Sequence, residues 1–185
     1  EFIQILEEAK ALFRELTNLP DNYRILFMHG GARMVFSALP LNLAGRSATR
    51  TCLYTETGNF AKVAAQEAQK FCQVKTVISS ADSGYDHIPD LPLKLIDQDA
   101  AYLHITGNNT IFGTRWNRFP ATGRVPLIAD MTSELLSRRI DYSRFGVVYA
   151  GLQKNLGPSG MAMVIIRDDL LGHADATTPT LLDFT

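Results

Sequence analysis

Tyr149-Ala150-Gly151-Leu152-Gln153-Lys154-Asn155-Leu156-Gly157-Pro158-Ser159-Gly160 decides how this chain is read. The apolar run Gly146 to Ala150 leads into it and Met161 to Ile166 leads out. A lysine therefore sits in a short connection between two strands. An ammonium is rarely kept at a buried strand end, because it loses its hydration there. A lysine that forms an imine escapes that cost, since desolvation favours its neutral, nucleophilic form. Lys154 is the first candidate for chemistry; the competing reading is a loop lysine that snorkels to solvent.

Outward from that stretch, apolar strands and helical segments alternate. Val125 to Ala129 reads as a strand ending in Asp130, and Ala101 to Thr106 as one running into Gly107-Asn108-Asn109-Thr110. Tyr23 to Met28 is a strand that ends in His29-Gly30-Gly31-Ala32-Arg33, with a helical stretch over Met34 to Leu41. Thr49 to Thr55 leads through Thr57-Gly58-Asn59 into a helix over Phe60 to Phe71, and Val74 to Ser79 returns as a strand. Phe2 to Leu16 has the apolar spacing of an amphipathic helix, stopped by Asn18 and Pro20. Residues 82–92 form a polar surface excursion, and 113–123 a loop holding Trp116. Residues 133–139 read as a short helix or turn, and 168–171 as a closing helical turn. The pattern predicts an α/β fold, a mostly parallel sheet with helices on both faces. Ligands of such sheets bind beyond the carboxyl ends of the strands. The Gly30 turn, Thr110, Asp130, Gln153 and Lys154 all fall there.

The chain has 185 residues, 46% of them hydrophobic and 20% charged, which suits one globular domain with a real core. A net charge of -1 argues against a broad nucleic-acid surface and leaves a local basic site open. No apolar run is long enough for a membrane span and no signal peptide opens the chain. Cys52 and Cys72 show no metal spacing and fit a reducing compartment, so the expectation is a cytoplasmic protein. Four histidines at these spacings make no metal set; His29 and His104 read as packed or hydrogen-bonded.

These residues could serve one ligand, a phosphorylated aromatic aldehyde. The Gly31-Ala32-Arg33 amides, at a helix start, would take the phosphate. Phe60 could stack on the ring. Asp130 could pair with a protonated ring nitrogen, and Lys154 would hold the aldehyde. That is the division of labour of pyridoxal 5'-phosphate. Each residue has a plainer reading: Asp130 as a cap for 131–133, Phe60 as core, Thr110 as a turn residue, Gly30-Gly31 as a tight turn.

The chain resembles the phosphoserine aminotransferases, fold-type I enzymes that use pyridoxal 5'-phosphate. The resemblance runs nearly its whole length and is most specific at His29-Gly30-Gly31-Ala32-Arg33, Ala129-Asp130-Met131-Thr132-Ser133 and Tyr149 to Pro158. It implies that Lys154 is the imine-forming lysine and also shuttles the substrate's α-proton. It implies that Gln153, Ala32 and Arg33 hold the cofactor phosphate, that Asp130 pairs with the pyridine nitrogen, and that Thr110 bonds the phenolic oxygen. Phe60 falls where the family usually carries tryptophan, keeping a stacking face without the indole N–H. The resemblance further implies a homodimer whose partner lends an Asn-Thr pair to the phosphate site. It implies transamination between 3-phosphohydroxypyruvate plus glutamate and phosphoserine plus 2-oxoglutarate, in serine biosynthesis and, in some members, vitamin B6 biosynthesis. Residues 1–185 are expected to be the cofactor-binding large domain, without the family's N-terminal segment, which carries a substrate arginine, and without its C-terminal small domain. Two alternatives stay open: a cofactor-binding fragment without turnover, and an aminotransferase for an unphosphorylated substrate.

Overall fold

A computed structural model describes residues 1–185. In chain order its elements are α1 (Phe2–Thr17), β1 (Tyr23–His29), α2 (Gly31–Leu43), β2 (Thr51–Glu56), α3 (Asn59–Ala68), β3 (Gln73–Ser79), β4 (Leu103–Thr106), β5 (Asn108–Asn109), β6 (Thr114–Arg115), β7 (Leu127–Asp130), β8 (Val147–Gly151) and β9 (Met161–Arg167). A seven-stranded sheet has the order β1-β9-β8-β7-β4-β2-β3, and β5 and β6 form a separate two-stranded ribbon.

The pairs β8–β7, β7–β4, β4–β2 and β2–β3 are parallel. β9 runs antiparallel to both β8 and β1. β1 therefore points the same way as the parallel strands, and β9 alone is reversed. The carboxyl ends of β1, β2, β4, β7 and β8 thus share one edge, joined by the start of β9. Thr106, Asp130 and Tyr149 lie side by side there, at the ends of β4, β7 and β8.

Central strands buried on both faces are mainly apolar, as Leu127–Ala129 and Val147–Gly151 are, with Asp130 the charged end of β7. Two clusters flank the sheet. One holds Val35, Phe36 and Leu39 of α2 and Ala64, Ala65 and Ala68 of α3 against Tyr54, Tyr102, Tyr149 and Val164. The other is covered by irregular chain: Ile96, Trp116, Phe119, Val125, Leu135 and Tyr142, with Phe13 of α1. The expected loop around Trp116 is irregular as read, and Trp116 and Phe119 anchor it in this core. Helices do lie on both faces, but α1 buries only Phe13. No helix is long and apolar enough to cross a membrane.

Several boundaries differ from the sequence reading. α2 starts at Gly31 rather than Met34, because Gly30 at φ 89 turns the chain out of β1 directly into the helix. Pro40 lies inside α2, where its missing N–H is tolerated in a helix packed on the sheet. Of the two readings for 133–139 the turn is the one found, as successive turns over residues 132–137 with Leu136 at φ 63. The strands expected from Ala101 and Val125 begin two residues later, at Leu103 and Leu127.

Candidate functional site

A cleft of about 330 Å³ opens at the carboxyl edge. Ala32, Arg33, Phe60, Thr110, Asp130, Gln153 and Lys154 all line it. Its size is within the usual range for small-ligand sites.

α2 supplies one wall. Its N-cap, Gly30, offers no side-chain acceptor. The N–H groups of Gly31, Ala32 and Arg33 have no acceptor within the protein, as expected of a first helical turn. They face the cleft with the positive end of the helix dipole, which suits an anion. The cradle is tied to the stretch around Lys154 by Gly30 N–H donating to Gly160 O at 2.8 Å.

β7 supplies Asp130, 5% exposed. Its Oδ1 accepts from Thr132 N–H at 2.9 Å and from Thr132 Oγ1 at 2.6 Å. The capping reading is realised on Oδ1, while Oδ2 accepts nothing from the protein. Burial raises the carboxyl's pKa; the Thr132 hydrogen bonds and the charge of Lys154 oppose the rise. Beneath it, Tyr149 Oη and His104 Nε2 are 2.8 Å apart. His104 is fully buried, stacks on Tyr54 at 4.8 Å, and is pushed down to about 3 by desolvation, so it is neutral. It packs and bonds as expected. His29 does not: it is exposed at the end of β1 and makes no side-chain hydrogen bond.

Lys154 stands three residues beyond β8, in a turn, and its side chain is exposed to the cleft. The desolvated strand-end environment expected from sequence is absent; the turn carries the lysine past the strand and into open space. Nζ donates to Thr110 Oγ1 at 2.8 Å. Thr110 is indeed in a turn, and that turn aims its hydroxyl at the lysine. Phe60, second residue of α3, is 37% exposed on the cleft rather than in the core.

Sequence reasoning missed Thr106, Asn108, Thr132, Ser133 and Gly160, which also line the cleft. Thr106 Oγ1 is buried there with no partner. A strand-end threonine and loop polar residues carry no sequence signal of their own; only register with Asp130 brings them in. No group of His, Cys, Asp and Glu side chains could hold a metal ion.

Comparison with known proteins bears on this geometry. A family model described as aminotransferase class-V matches residues 1–180. The chain is 46% identical over 183 residues to a phosphoserine aminotransferase of Bacillus cereus, covering 99% of this chain and 50% of that protein. It is 44% identical over 184 residues to one from Desulfotalea psychrophila, covering all of this chain and 50% of that protein. Among solved structures, phosphoserine aminotransferase from Bacillus circulans subsp. alkalophilus superposes with a TM-score of 0.89 at 42% identity, over 96% of this chain and 49% of that one. A pyridoxal phosphate-bound phosphoserine aminotransferase from Trichomonas vaginalis superposes equally, at 0.89 and 33% identity, over 98% of this chain and 54% of that one. The chain spans about half the length of the curated relatives it matches.

Proposed function

We propose, because this chain belongs to the class-V aminotransferase family, that it is the pyridoxal phosphate-binding domain of a phosphoserine aminotransferase. The reaction is amino-group exchange between phosphoserine plus 2-oxoglutarate and 3-phosphohydroxypyruvate plus glutamate. One observation carries the reading: the free N–H groups of α2, the free Oδ2 of Asp130 and the Nζ of Lys154 converge on a single cleft.

The residues fit the cofactor. Unpaired amides at Ala32 and Arg33, with the Arg33 and Gln153 side chains beside them, suit a phosphate. The carboxylate Oδ2 suits a protonated ring nitrogen, the Thr110 hydroxyl a phenolic oxygen, and the Phe60 ring a flat heterocycle. When bound, pyridoxal phosphate supplies an aldehyde carbon and a ring that withdraws electrons from an attached amino acid.

The chain's own groups do the rest. Lys154 is the one amine lining the cleft, so it is the nucleophile and the carrier of a proton on Nζ. Thr110 Oγ1, 2.8 Å away, sets the direction of that amine. Asp130, held at Oδ1 by two donors, keeps its charge facing the cleft at Oδ2. Arg33 and Lys154 give the cleft a positive character that suits anionic substrates. The assembly that goes with this reading is a cytoplasmic homodimer, checked by sedimentation.

Titration of the protein with pyridoxal phosphate, followed by visible absorbance, tests the reading. The intact protein should develop the band of a lysine-bound aldehyde, and Lys154→Ala should not. An unchanged spectrum in Lys154→Ala removes the assignment.

A further inference from the structure

The hydroxyl of Thr132 occupies a junction. It accepts from Gly151 N–H at 3.1 Å and donates to Asp130 Oδ1 at 2.6 Å. Its own backbone N–H reaches the same oxygen at 2.9 Å. Gly151 is the last residue of β8, two before Gln153 and three before Lys154. A single side chain thus links the strand end that launches the lysine to the carboxylate across the cleft.

The donor pattern has a direction. Because Gly151 N–H points at Thr132 Oγ1, the hydroxyl proton is left for Asp130, and a neighbouring donor of this kind strengthens the next bond in the chain. Two donors then converge on Oδ1, and neither approaches Oδ2. A carboxylate held this way cannot rotate without breaking both bonds, so its second oxygen stays turned to the cleft.

We propose that Thr132 is a positioning residue that fixes the Asp130 carboxyl group with Oδ2 presented to the ligand, through the relay Gly151 N–H to Thr132 Oγ1–H to Asp130 Oδ1. The other charged or titratable groups around the carboxylate are Lys154 and Arg33 on the cleft side, Tyr149 on β8, and His104 on β4 through its bond to Tyr149. Of these, Lys154 also favours the charged carboxylate, while burial opposes it. Thr132 is the neutral contributor whose removal leaves every one of those charges in place.

The test uses the cofactor-free and the cofactor-loaded forms of the intact protein. In the first, the 13Cγ resonance of Asp130, assigned by its loss in Asp130→Asn, is followed against pH. Thr132→Val keeps the bulk and deletes the hydroxyl; its carboxyl should titrate at higher pH than in the parent. Thr132→Ser keeps the hydroxyl and should titrate as the parent does. Thr132→Ala replaces the valine variant if that variant does not fold. In the loaded form, Thr132→Val should bind pyridoxal phosphate about tenfold more weakly, the loss expected for one hydrogen bond to a charged group. A carboxyl titration unmoved in Thr132→Val, or moved equally in Thr132→Ser, overturns the proposal. Only the binding arm rests on the function proposed above. If the parent protein takes up no cofactor, that function falls, and the carboxyl titration still decides the role of Thr132.

Discussion

The first two helices invert what their sequences suggest. α1 has the more regular apolar stripe, yet Phe2, Ile3, Ile5, Leu12 and Leu16 are exposed and only Phe13 is buried. α2 is less regular and is interrupted by Pro40, yet Val35, Phe36, Ala38, Leu39 and Leu43 are all buried. Periodicity reports which side of a helix is apolar; it does not report what covers that side. α2 is clamped on the sheet beside α3, on strands β8 and β9, and it begins where β1 ends, so its first turn is held still at the site. α1 buries one residue, Phe13, is tied to β1 by Arg14 donating to the Tyr23 carbonyl, and bears no part of the cleft.

The largest expected effect separates the two helices by stability. Leu39→Ala, at a position with no exposure, should cost about 3 kcal/mol in denaturant unfolding, through lost burial and the cavity left behind. It should also weaken cofactor uptake, since the cradle shifts with its helix. An effect under about 1 kcal/mol would mean that α2 is not the clamped element described here.

Asp130→Asn tests the edge that α2 serves. Burial raises the Asp130 carboxyl in the folded state. A group raised on folding contributes stability below its unfolded pKa and loses it as pH rises through its folded value. At neutral pH, the charged carboxylate is therefore a liability to the cofactor-free fold. Asp130→Asn should raise the thermal midpoint at pH 7 and gain nothing at pH 3, where the parent carboxyl is protonated. The same substitution should weaken uptake of pyridoxal phosphate, read by visible absorbance. A lower midpoint at pH 7 would show that the Thr132 bonds outweigh burial.

The smallest effect is expected on α1. Leu16→Ser, at a side chain 73% exposed, should change unfolding free energy by no more than about 0.5 kcal/mol. A loss near that of Leu39→Ala would show that this stripe is covered in the protein as it works.

The same contrast explains what could be read in advance. The strands and the turn at Gly30 were legible because each depends on a few neighbouring residues. Lys154, Asp130, Ala32, Arg33, Gln153, Thr110 and Phe60 were found as candidates, and all line one cleft. The irregular cover of the second face was not legible. Trp116, Phe119 and Tyr142 are placed by contacts far along the chain, such as Arg138 donating to Trp116 O at 2.9 Å, Arg144 to Phe119 O at 2.8 Å and Tyr23 Oη to Tyr142 O at 3.2 Å. The pair Glu134–Arg138, whose carboxylate is 2% exposed, lies in a stretch that reads only as a short helix or turn. Thr132 was quoted within a motif and given no role, because its importance lies in a hydrogen bond to a strand end nineteen residues later. The exposure of Lys154 was misjudged because sequence shows that a turn follows β8 but not how far it carries the side chain from the sheet.

The central claim is that Lys154 is the covalent anchor of pyridoxal phosphate, set opposite Asp130 in one cleft. Borohydride reduction of the cofactor-loaded protein, followed by peptide mass analysis, tests it most directly. A pyridoxyl group on the peptide containing Lys154, and on no other lysine, is the expected result. A label on a different lysine, or none on a protein that has taken up the cofactor, would contradict the account.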